Sequence, residues 1–440
     1  MTLSGSRTFV GFGFGPIQAG LFLAEADASA AFGRLVLAEV VPGVVQAIRD
    51  AGGRFHVNVA HADGLERCEI GPIEMAVPAV DADRSRLVEA VAQAEELSTA
   101  VPGVASYRSP GPGSIHRILA EGLRRKAATG GPRAVIYAAE NHNHAAEILA
   151  AAVLEEVPAA ERTAVRARVR FLNTVIGKMS GVVTDADAIR DRNMATMAPG
   201  YPRAFLVEAF NRILISQIRF DEMPGEPAFQ RGIRVFEEKP DLLPFEEAKL
   251  YGHNATHALA AYLGFLLGVP TIAELPQVPG VLPFLRAAFI EESGAALVKK
   301  HAGLDPLFTP AGYAAYADDL LARMVNPNLL DTVARVGRDP ARKLAWDDRL
   351  VGTMRVALAA GVSPERYAMG AAAALAFMAE SRTPPAANAL PALLDRLWAD
   401  AEVAPDEREA VGALIVTAVH RLARWAKAGY PPLERFWTTV

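Results

Sequence analysis

The residues best suited to acid–base chemistry lie in one short stretch, in which Lys249, Asn254 and His257 precede a strongly apolar run. In a helix that turns by about 100° per residue, these three side chains would share one side. An ammonium, an amide and an imidazole on one face suit a site that handles a hydroxyl or a carbonyl group. Alternatively, the stretch is only the first turn of a core helix, and its polar residues are solvated.

A glycine-rich turn near the N terminus is a second candidate site. An apolar strand over residues 8–10 runs into a turn that contains Gly13, Gly15 and Gly20, and a helix follows. This order is typical of a dinucleotide-binding βαβ unit, in which the backbone approaches a pyrophosphate at the helix N terminus. Gln18 stands where the fingerprint has its third glycine. Alternatively, the glycines form an ordinary turn.

An acidic residue, Glu39, ends the next predicted strand, which covers residues 34–39. Its distance from the glycine turn, about 20 residues, is the one at which a carboxylate binds the adenosine ribose hydroxyls. Because this carboxylate would repel a 2′-phosphate, it favours NAD over NADP as the cofactor.

The first half of the chain alternates predicted strands with helical segments, which indicates a mostly parallel sheet covered by helices on both faces. In such sheets, ligands bind beyond the carboxyl ends of the strands. Polar residues follow three predicted strands at Thr99, at Glu140 and Asn141, and at Asn173. Asn141 is alternatively the N-cap of a helix, and Asn173 either contacts the nicotinamide or caps a helix.

The second half has a helical pattern. We expect an α/β fold in which residues 1–195 form a Rossmann-type NAD-binding domain and residues 196–440 form a mostly helical substrate and catalytic domain. The predicted helices cover residues 246–268, 281–301, 310–325, 328–336, 347–360, 364–379, 388–400 and 406–427.

Composition excludes several classes of partner. The chain has 440 residues, which suggests two or three domains, and its net charge of −5 gives no electrostatic footprint for nucleic acid or an anionic membrane. Cys68 is the only cysteine, so an internal disulfide and a cysteine-based metal site are excluded, and a reducing cytoplasm is expected. No signal peptide and no membrane-spanning run is recognisable.

Landmarks in a fixed order make the chain resemble the polyol-specific long-chain dehydrogenases, or mannitol dehydrogenase family, and most closely its mannitol-1-phosphate 5-dehydrogenase branch. The resemblance extends from about residue 8 to about residue 380. Its landmarks are the glycine turn with Glu39, Thr99-Ala-Val-Pro-Gly103, Ala139-Glu-Asn141, Asn173-Thr-Val-Ile, Val207-Glu-Ala-Phe210, Lys249-x4-Asn254-x2-His257, Glu291-Glu-Ser-Gly294, Asn326-Pro-Asn-Leu329 and the segment from Val336 to Leu344.

The resemblance implies a Rossmann domain joined to a helical domain, with a metal-independent active site between them. In this family Lys249 would be the general acid/base, a role that requires burial or a neighbouring cation to lower its pKa. Asn141 and Asn254 would hold the oxyanion, and His257 would orient a substrate hydroxyl or the lysine. Together with the glycine turn and Glu39, the residues expected to bind the cofactor are Thr99, Val101 and Asn141.

The expected substrate is a polyol, with mannitol 1-phosphate and fructose 6-phosphate as the first pair. A sugar phosphate needs cations, and the densest basic cluster near a landmark is Arg338, Arg342 and Lys343; alternatively, this cluster stabilises a helix end. Asn173 and Glu208 are also substrate candidates. Arg212 departs from the family pattern and suggests another anionic group, such as a uronate carboxylate.

Three other interpretations stay open. The first is a reductase of a non-phosphorylated polyol or of a hexuronate such as fructuronate. The second is a catalytically silent NAD-binding protein, and the third is a metal-dependent alcohol dehydrogenase that uses His142, His144, His253 and His257. For the leading interpretation we expect a monomer or a small homo-oligomer whose partner is a small molecule.

Overall fold

The computed structural model describes residues 7–221 and 227–438. The chain forms two compact units, Met1–Leu243 and Pro244–Val440. The division lies well beyond the expected boundary at residue 195, because strands that follow this position pair with strands from the N-terminal part of the chain.

All the strands of the described residues lie in the first unit. They are β1 (Arg7–Phe12), β2 (Phe32–Ala38), β3 (Phe55–Ala60), β4 (Leu65–Ile70), β5 (Glu74–Ala76), β6 (Glu96–Thr99), β7 (Ala134–Ala138), β8 (Val169–Val175), β9 (Ser180–Val183), β10 (Ala204–Glu208), β11 (Ile213–Ser216) and β12 (Phe236–Lys239). The helices of this unit are α1 (Ala24–Ala28), α2 (Pro42–Asp50), α3 (Asp81–Gln93), α4 (Ile115–Ala128), α5 (Ala145–Glu156), α6 (Arg162–Arg168) and α7 (Ala186–Asp191).

An eight-stranded sheet organises the first unit, in the order β12-β11-β8-β7-β6-β1-β2-β5. Neighbouring strands are parallel except for the pair β11 and β8. Six neighbouring strands of this sheet, β5-β2-β1-β6-β7-β8, have the dinucleotide-binding order 3-2-1-4-5-6. Buried apolar side chains cover both faces of this sheet. The mostly parallel sheet expected from the alternating pattern is therefore present.

A second sheet was not expected from the sequence. It has four strands in the order β4-β3-β10-β9, so the predicted strand over residues 55–59 pairs away from the main sheet. The side chain of Asn58 holds two segments together there, since its amide donates to the carbonyls of Ala195 and Phe205, 2.9 Å away in each case. The predicted strand over residues 69–77 is two strands, β4 and β5, because the chain passes from this sheet to the main one.

The second unit is helical, as expected. Its helices are α8 (Leu243–Glu247), α9 (Ala255–Leu267), α10 (Val281–Ala287), α11 (Ala295–Lys300), α12 (Pro310–Met324), α13 (Val333–Gly337), α14 (Pro340–Lys343), α15 (Val351–Ala359), α16 (Glu365–Met378), α17 (Leu390–Leu397), α18 (Pro405–Lys427) and α19 (Leu433–Thr438). Helix α9 is almost fully buried and ends at Gly268, whose positive φ of 74° permits the left-handed C-cap. Across the described ranges, no helix is long and apolar enough to cross a membrane.

Among the residues that the structure describes, three helical stretches widen into π-helix: Gln18–Leu23, Ala248–Asn254 and Ala288–Gly294. The second stretch joins α8 to α9, and the third joins α10 to α11. Below they are called the Lys249 π-segment (Ala248–Asn254) and the Glu292 π-segment (Ala288–Gly294). Single π turns are rare in proteins and are frequent at functional sites.

Candidate active site

A cavity of about 620 Å³ lies at the carboxyl ends of β1, β2 and β6 in the first unit. The glycine turn forms one wall, and Glu39, Val101 and Ala139 contribute to the others. Gly13 has a φ of +86°, and a Cβ there would lie 2.7 Å from the carbonyl oxygen of Ala100, so this position requires glycine. The chain thus folds the strand–turn–helix of a nucleotide site around a space that is open to a ligand.

Glu39 is buried and its carboxylate already binds the turn. It accepts the backbone N–H groups of Phe14, at 2.8 Å, and of Val41, at 2.9 Å. An ionised carboxylate has about four acceptor positions, so two backbone bonds leave capacity for the hydroxyls of a ribose. The residue therefore ties the turn to the end of β2 and lines the cavity at the same time.

Gln18 occupies the third-glycine position without disrupting the turn. Its side chain is buried, and its Oε1 accepts a 2.9 Å hydrogen bond from the hydroxyl of Ser98. A Cβ on Gly11 would overlap the amide group of Gln18. In the usual fingerprint, the third glycine leaves space on the helix. Here the helix carries Gln18, and Gly11 on strand β1 leaves the space for its side chain. Gly20 has a different role, since it packs against the side chains of Val57 and Val207.

Glu140 is a buried carboxylate that the sequence interpretation left without a role. Its oxygens accept the hydroxyl of Thr99 at 2.9 Å and the backbone N–H of Val101 at 3.0 Å, and the hydroxyl of Tyr107 also donates to it. Desolvation by burial raises the pKa of Glu140. The residue therefore holds the loop after β6 in place, and the side chain of Thr99 is directed at Glu140 rather than at the cavity.

The two asparagines predicted to follow strands have different surroundings, and Asn173 lies inside β8 rather than after it. Asn173 is buried and caps α5, since its Oδ1 accepts the N–H of Ala146 at 2.9 Å and its amide donates to Glu147 at 2.8 Å. Asn141 is exposed, and the N-cap position of α5 belongs to His144. The capping alternative therefore describes the contacts of Asn173, and Asn141 is not the N-cap residue.

Glu208 ends β10 of the second sheet, whereas Arg212 directly precedes β11 of the eight-stranded sheet. Glu208 is buried at the end of β10 and accepts the N–H of Met179 at 2.5 Å. Arg212 has a side chain that is 70% exposed and forms an ion pair with Glu237 at 3.3 Å. The geometry gives Glu208 a structural partner and leaves Arg212 largely in solvent.

In the second unit, the Lys249 π-segment carries two of the polar residues singled out in the sequence. The expected α-helical period of about 100° per residue is wrong for this segment. Hydrogen bonds of a π-helix join residues five positions apart, so Lys249 and Asn254 lie closer to the same side of the helix than they would in an α-helix. His257 follows in the first turn of α9. The widened turn therefore aligns the ammonium and the amide more closely than an α-helix would.

The Lys249 ammonium has a lowered pKa of about 8. Desolvation by the surrounding protein is the main cause, the positive charge of Arg349 adds to it, and Glu246 opposes both. A lysine with such a pKa exchanges a proton near neutral pH, as a general acid/base must. Arg349 was not identified from the sequence.

His253 and His257 lie side by side, with ring centroids 6.4 Å apart. Burial lowers the pKa of His253 well below its ordinary value, and the charges of His257, Arg323 and Lys249 act in the same direction. His253 is therefore a buried neutral imidazole.

The imidazole of His257 faces a buried carboxylate. Its Nε2 lies 3.4 Å from Oδ2 of Asp331, whose side chain is 2% exposed. The other oxygen of Asp331 pairs with the guanidinium of Arg335. Sequence reasoning missed both Asp331 and Arg335, because they lie far from His257 along the chain.

The basic cluster expected to bind phosphate is divided between the surface and the interior. Arg338 and Arg342 are exposed, whereas Lys343 is buried and donates to the carbonyl of Arg338. Desolvation, assisted by the charges of Arg349 and Arg342, lowers the pKa of Lys343 to about 8. The charge of Arg349 thus lowers the pKa of both Lys249 and Lys343, so Lys249 and the basic cluster share one positive environment.

Packing between the two π-segments fixes the shape of the helix that carries Lys249. A Cβ on Gly252 would lie 2.6 Å from both the ring of Phe289 and the hydroxyl of Tyr313. The start of α9 is held by a 2.8 Å hydrogen bond between the hydroxyls of Thr256 and Tyr367. Both contacts are buried, so the residues around Lys249 rest on a rigid support.

Glu292, in the middle of the Glu292 π-segment, caps a neighbouring helix. It is 2% exposed and accepts the N–H groups of Arg366, at 2.8 Å, and of Tyr367, at 3.1 Å. Burial raises the pKa of Glu292 to about 7. The same segment therefore supports both the Lys249 π-segment and α16.

The histidines proposed as alternative metal ligands do not meet carboxylates in a chelating group. Within residues 7–221 and 227–438, no cluster of three or more histidine, cysteine, aspartate or glutamate side chains could hold a metal ion.

Comparison with known proteins identifies relatives by sequence. A family model described as the mannitol dehydrogenase C-terminal domain matches residues 241–415. A mannitol-1-phosphate 5-dehydrogenase of Bacillus licheniformis is 31% identical over 344 residues, which are 78% of this chain and 81% of that protein. The sequence therefore shares most of its length with one group of enzymes.

Solved structures agree with this at the level of the fold. The mannitol 2-dehydrogenase of Pseudomonas fluorescens, in a ternary complex with NAD and D-mannitol, matches with a TM-score of 0.69 and 18% identity, covering 97% of this chain and 93% of that one. A substrate-free D-sorbitol dehydrogenase matches with a TM-score of 0.72 and 13% identity, covering 97% and 94%. The expected fold class, a Rossmann-type sheet followed by a helical region, is confirmed.

Proposed function

The chain belongs to the mannitol dehydrogenase family, and on that premise we propose that it is an NAD-dependent, metal-independent polyol dehydrogenase. It would interconvert a sugar alcohol, with mannitol 1-phosphate as the first candidate, and its ketose, fructose 6-phosphate. The observation that carries the proposal is that Lys249 and Asn254 share one π-helical segment, in which burial and the charge of Arg349 lower the pKa of Lys249 to about 8.

The cavity in the first unit suits a dinucleotide. Gly13 allows the backbone to turn sharply, Gly15 lies at the start of the helix whose N-terminal amides would meet the pyrophosphate, and Glu39 lines the place for the ribose. Val101 lines the same space, and Thr99 supports it through Glu140. When bound, NAD would accept the hydride of the alcohol, and NADH would supply it to the ketose.

Lys249 would move the proton at the reacting oxygen. In alcohol oxidation its neutral amine accepts the proton of the hydroxyl, and in ketose reduction its ammonium donates that proton to the carbonyl oxygen. The lowered pKa makes both forms available near pH 8. Oxidation is therefore expected to accelerate, and reduction to slow down, as the pH rises through about 8.

Amide donors would stabilise the charge that develops on the reacting oxygen. Asn254, aligned with Lys249 by the π-helical turn, supplies one N–H donor. Asn141 of the first unit is proposed as a second donor, as the family resemblance implies. His257 would bind a hydroxyl of the substrate beside the reacting carbon.

A phosphorylated substrate is favoured by the positive environment around Lys249. Arg338 and Arg342 are exposed, and Arg349 lies within electrostatic reach of Lys249. Guanidinium groups bind phosphate through paired N–H donors. The hexuronate alternative depends on Arg212, which already forms an ion pair with Glu237.

The function is tested by NADH oxidation in the presence of fructose 6-phosphate, fructose and fructuronate, each with the wild-type chain and Lys249→Ala. We expect turnover with the phosphorylated ketose, and a loss of about 10²- to 10⁴-fold in kcat for Lys249→Ala. Full activity in that variant would refute the acid/base role. NADH binding without turnover of any ketose would instead support a catalytically silent protein.

Phosphate recognition is tested separately with Arg338→Ala/Arg342→Ala. This variant should raise KM for fructose 6-phosphate and leave KM for fructose unchanged. Arg424→Ala, which removes another exposed arginine on α18, is the matched control. An equal rise of both KM values, or no change in either, contradicts the phosphate assignment.

A further inference from the structure

Asp331 is a buried carboxylate whose position is fixed by its backbone. Its carbonyl accepts the N–H of Ile272 at 2.9 Å, and the N–H of Val333 donates to the carbonyl of Pro270 at 2.9 Å. The segment at residues 270–272 directly follows α9, the helix that carries His257. Asp331 is therefore anchored to the same helix that presents the imidazole.

The carboxylate of Asp331 lies between a cation and an imidazole. One oxygen pairs with Arg335, and the other lies 3.4 Å from Nε2 of His257, whose side chain is 14% exposed. A buried carboxylate without partners would be destabilised as an anion, and the guanidinium of Arg335 is a neighbouring cation that favours the ionised form of Asp331. Because Arg335 already balances the charge of Asp331, the 3.4 Å approach of Nε2 to the carboxylate does not require a charged imidazole.

We infer that Asp331 is the positioning residue of His257, and that it selects the tautomer with hydrogen on Nε2. In that tautomer Nδ1 carries the lone pair and accepts a hydrogen bond. A substrate hydroxyl satisfies such an acceptor, whereas a carbonyl or a carboxylate at that point does not. The inference deepens the proposed function, on which it rests, by assigning to His257 the recognition of a hydroxyl group of a polyol chain.

The first test is a spectroscopic one and needs no turnover. Two-bond ¹H–¹⁵N correlations of the histidine-labelled protein report which ring nitrogen is protonated, and His257→Gln identifies the resonances of His257 among the nine histidines. We expect hydrogen on Nε2 in the wild type, and a shift toward the Nδ1-protonated form in Asp331→Asn, whose amide can donate to Nε2. An Nδ1-protonated wild type, or an unchanged ring in Asp331→Asn, overturns the inference.

The second test is kinetic. Asp331→Asn should lower kcat by about 10- to 100-fold, by analogy with the loss found when the partner that orients a metal-binding histidine is removed. Asp331→Glu should restore part of the loss. In the His257→Gln background the same Asp331→Asn change should have little further effect, because the residue acts through the histidine.

The outcomes distinguish this inference from the proposed function. Additive losses in the double variant, or kcat within twofold of wild type in Asp331→Asn, would show that Asp331 does not act through His257. If Asp331→Asn does not fold, Asp331→Glu is assayed in its place and is expected to retain the Nε2 tautomer. If the wild type turns over no polyol or ketose, the proposed function fails, and the tautomer measurement still decides the role of Asp331.

Discussion

The nucleotide cavity of the first unit and the Lys249 region of the second unit are built from different interactions. Around the cavity, the decisive contacts are backbone ones: the positive φ of Gly13, and the two N–H groups that Glu39 accepts. Around Lys249, they are charges and side chains, namely the field of Arg349 and the pair of His257 with Asp331. The first region should therefore respond mainly to changes in shape, and the second mainly to changes in charge and pH.

The largest effect is expected where the shape of the cavity is altered. Gly13→Ala forces a Cβ into a left-handed backbone and against the carbonyl of Ala100, which should cost about 1–3 kcal/mol of unfolding free energy. NADH affinity should fall as well, whereas the pH dependence of any remaining activity should be unchanged. Urea unfolding and NADH titration measure the two effects.

Gly15→Ala is the matched control for that variant. No heavy atom lies within 4 Å of the place its Cβ would occupy, and its φ is not positive. Its stability should therefore stay close to that of the wild type. Equal destabilisation by the two substitutions would contradict the account of Gly13.

A smaller effect, on the pH dependence of activity rather than on stability or NADH affinity, is expected from Arg349→Met. Removing this cation should raise the pKa of Lys249 above about 8, because the ammonium form loses an unfavourable neighbour. With a pKa of about 8, about one lysine in ten is neutral at pH 7, so alcohol oxidation there should be about a tenth of its plateau rate. In the variant the rising limb moves to higher pH.

The measurement is kcat for alcohol oxidation between pH 6 and about 10, with Arg424→Met as the control. NADH affinity should be the same in both variants. A midpoint that stays at the wild-type pH after Arg349 is removed would show that desolvation alone sets the pKa of Lys249.

The smallest effect should come from the support beneath the Lys249 region. Tyr367→Phe removes the hydrogen bond to Thr256 and should cost about 0.5–1.5 kcal/mol of unfolding free energy. The midpoint of the pH profile should not move, because no charge near Lys249 changes. Thr256→Val combined with Tyr367→Phe should lower the unfolding free energy by less than the sum of the two single changes, because both remove the same hydrogen bond. Strictly additive losses would mean that the two hydroxyls do not stabilise the protein through this bond.

Local patterns were sufficient for parts of the fold. Strand β1, the turn at Gly13 and the end of β2 at Glu39 are close together in the chain, so their order alone indicates a nucleotide site. The apolar run after His257 likewise predicted the buried helix α9. In contrast, the second sheet was missed, because the alternation of residues 55–59 is the same whichever strand it pairs with.

In the candidate site, too, local sequence patterns did not predict contacts between distant elements. The exposed Asn141 and the capping residue Asn173 look alike in sequence, since each follows a predicted buried strand, and only the position of α5 separates them. Gln18 looked like a defect of the fingerprint, yet Gly11 on the neighbouring strand provides its space. In both cases the deciding neighbour lies on another element.

The sequence by itself determined the family, the Rossmann-type order of the first strands and the identity of the acid–base candidates, because these depend on residue types at short spacings. Only the tertiary structure showed that the segment of Lys249 and Asn254 is a π-helix, that Arg349 helps to lower the lysine pKa, and that Asp331 faces His257. A pKa and an ion pair depend on distance in space and on desolvation, and folding alone brings distant residues into that range.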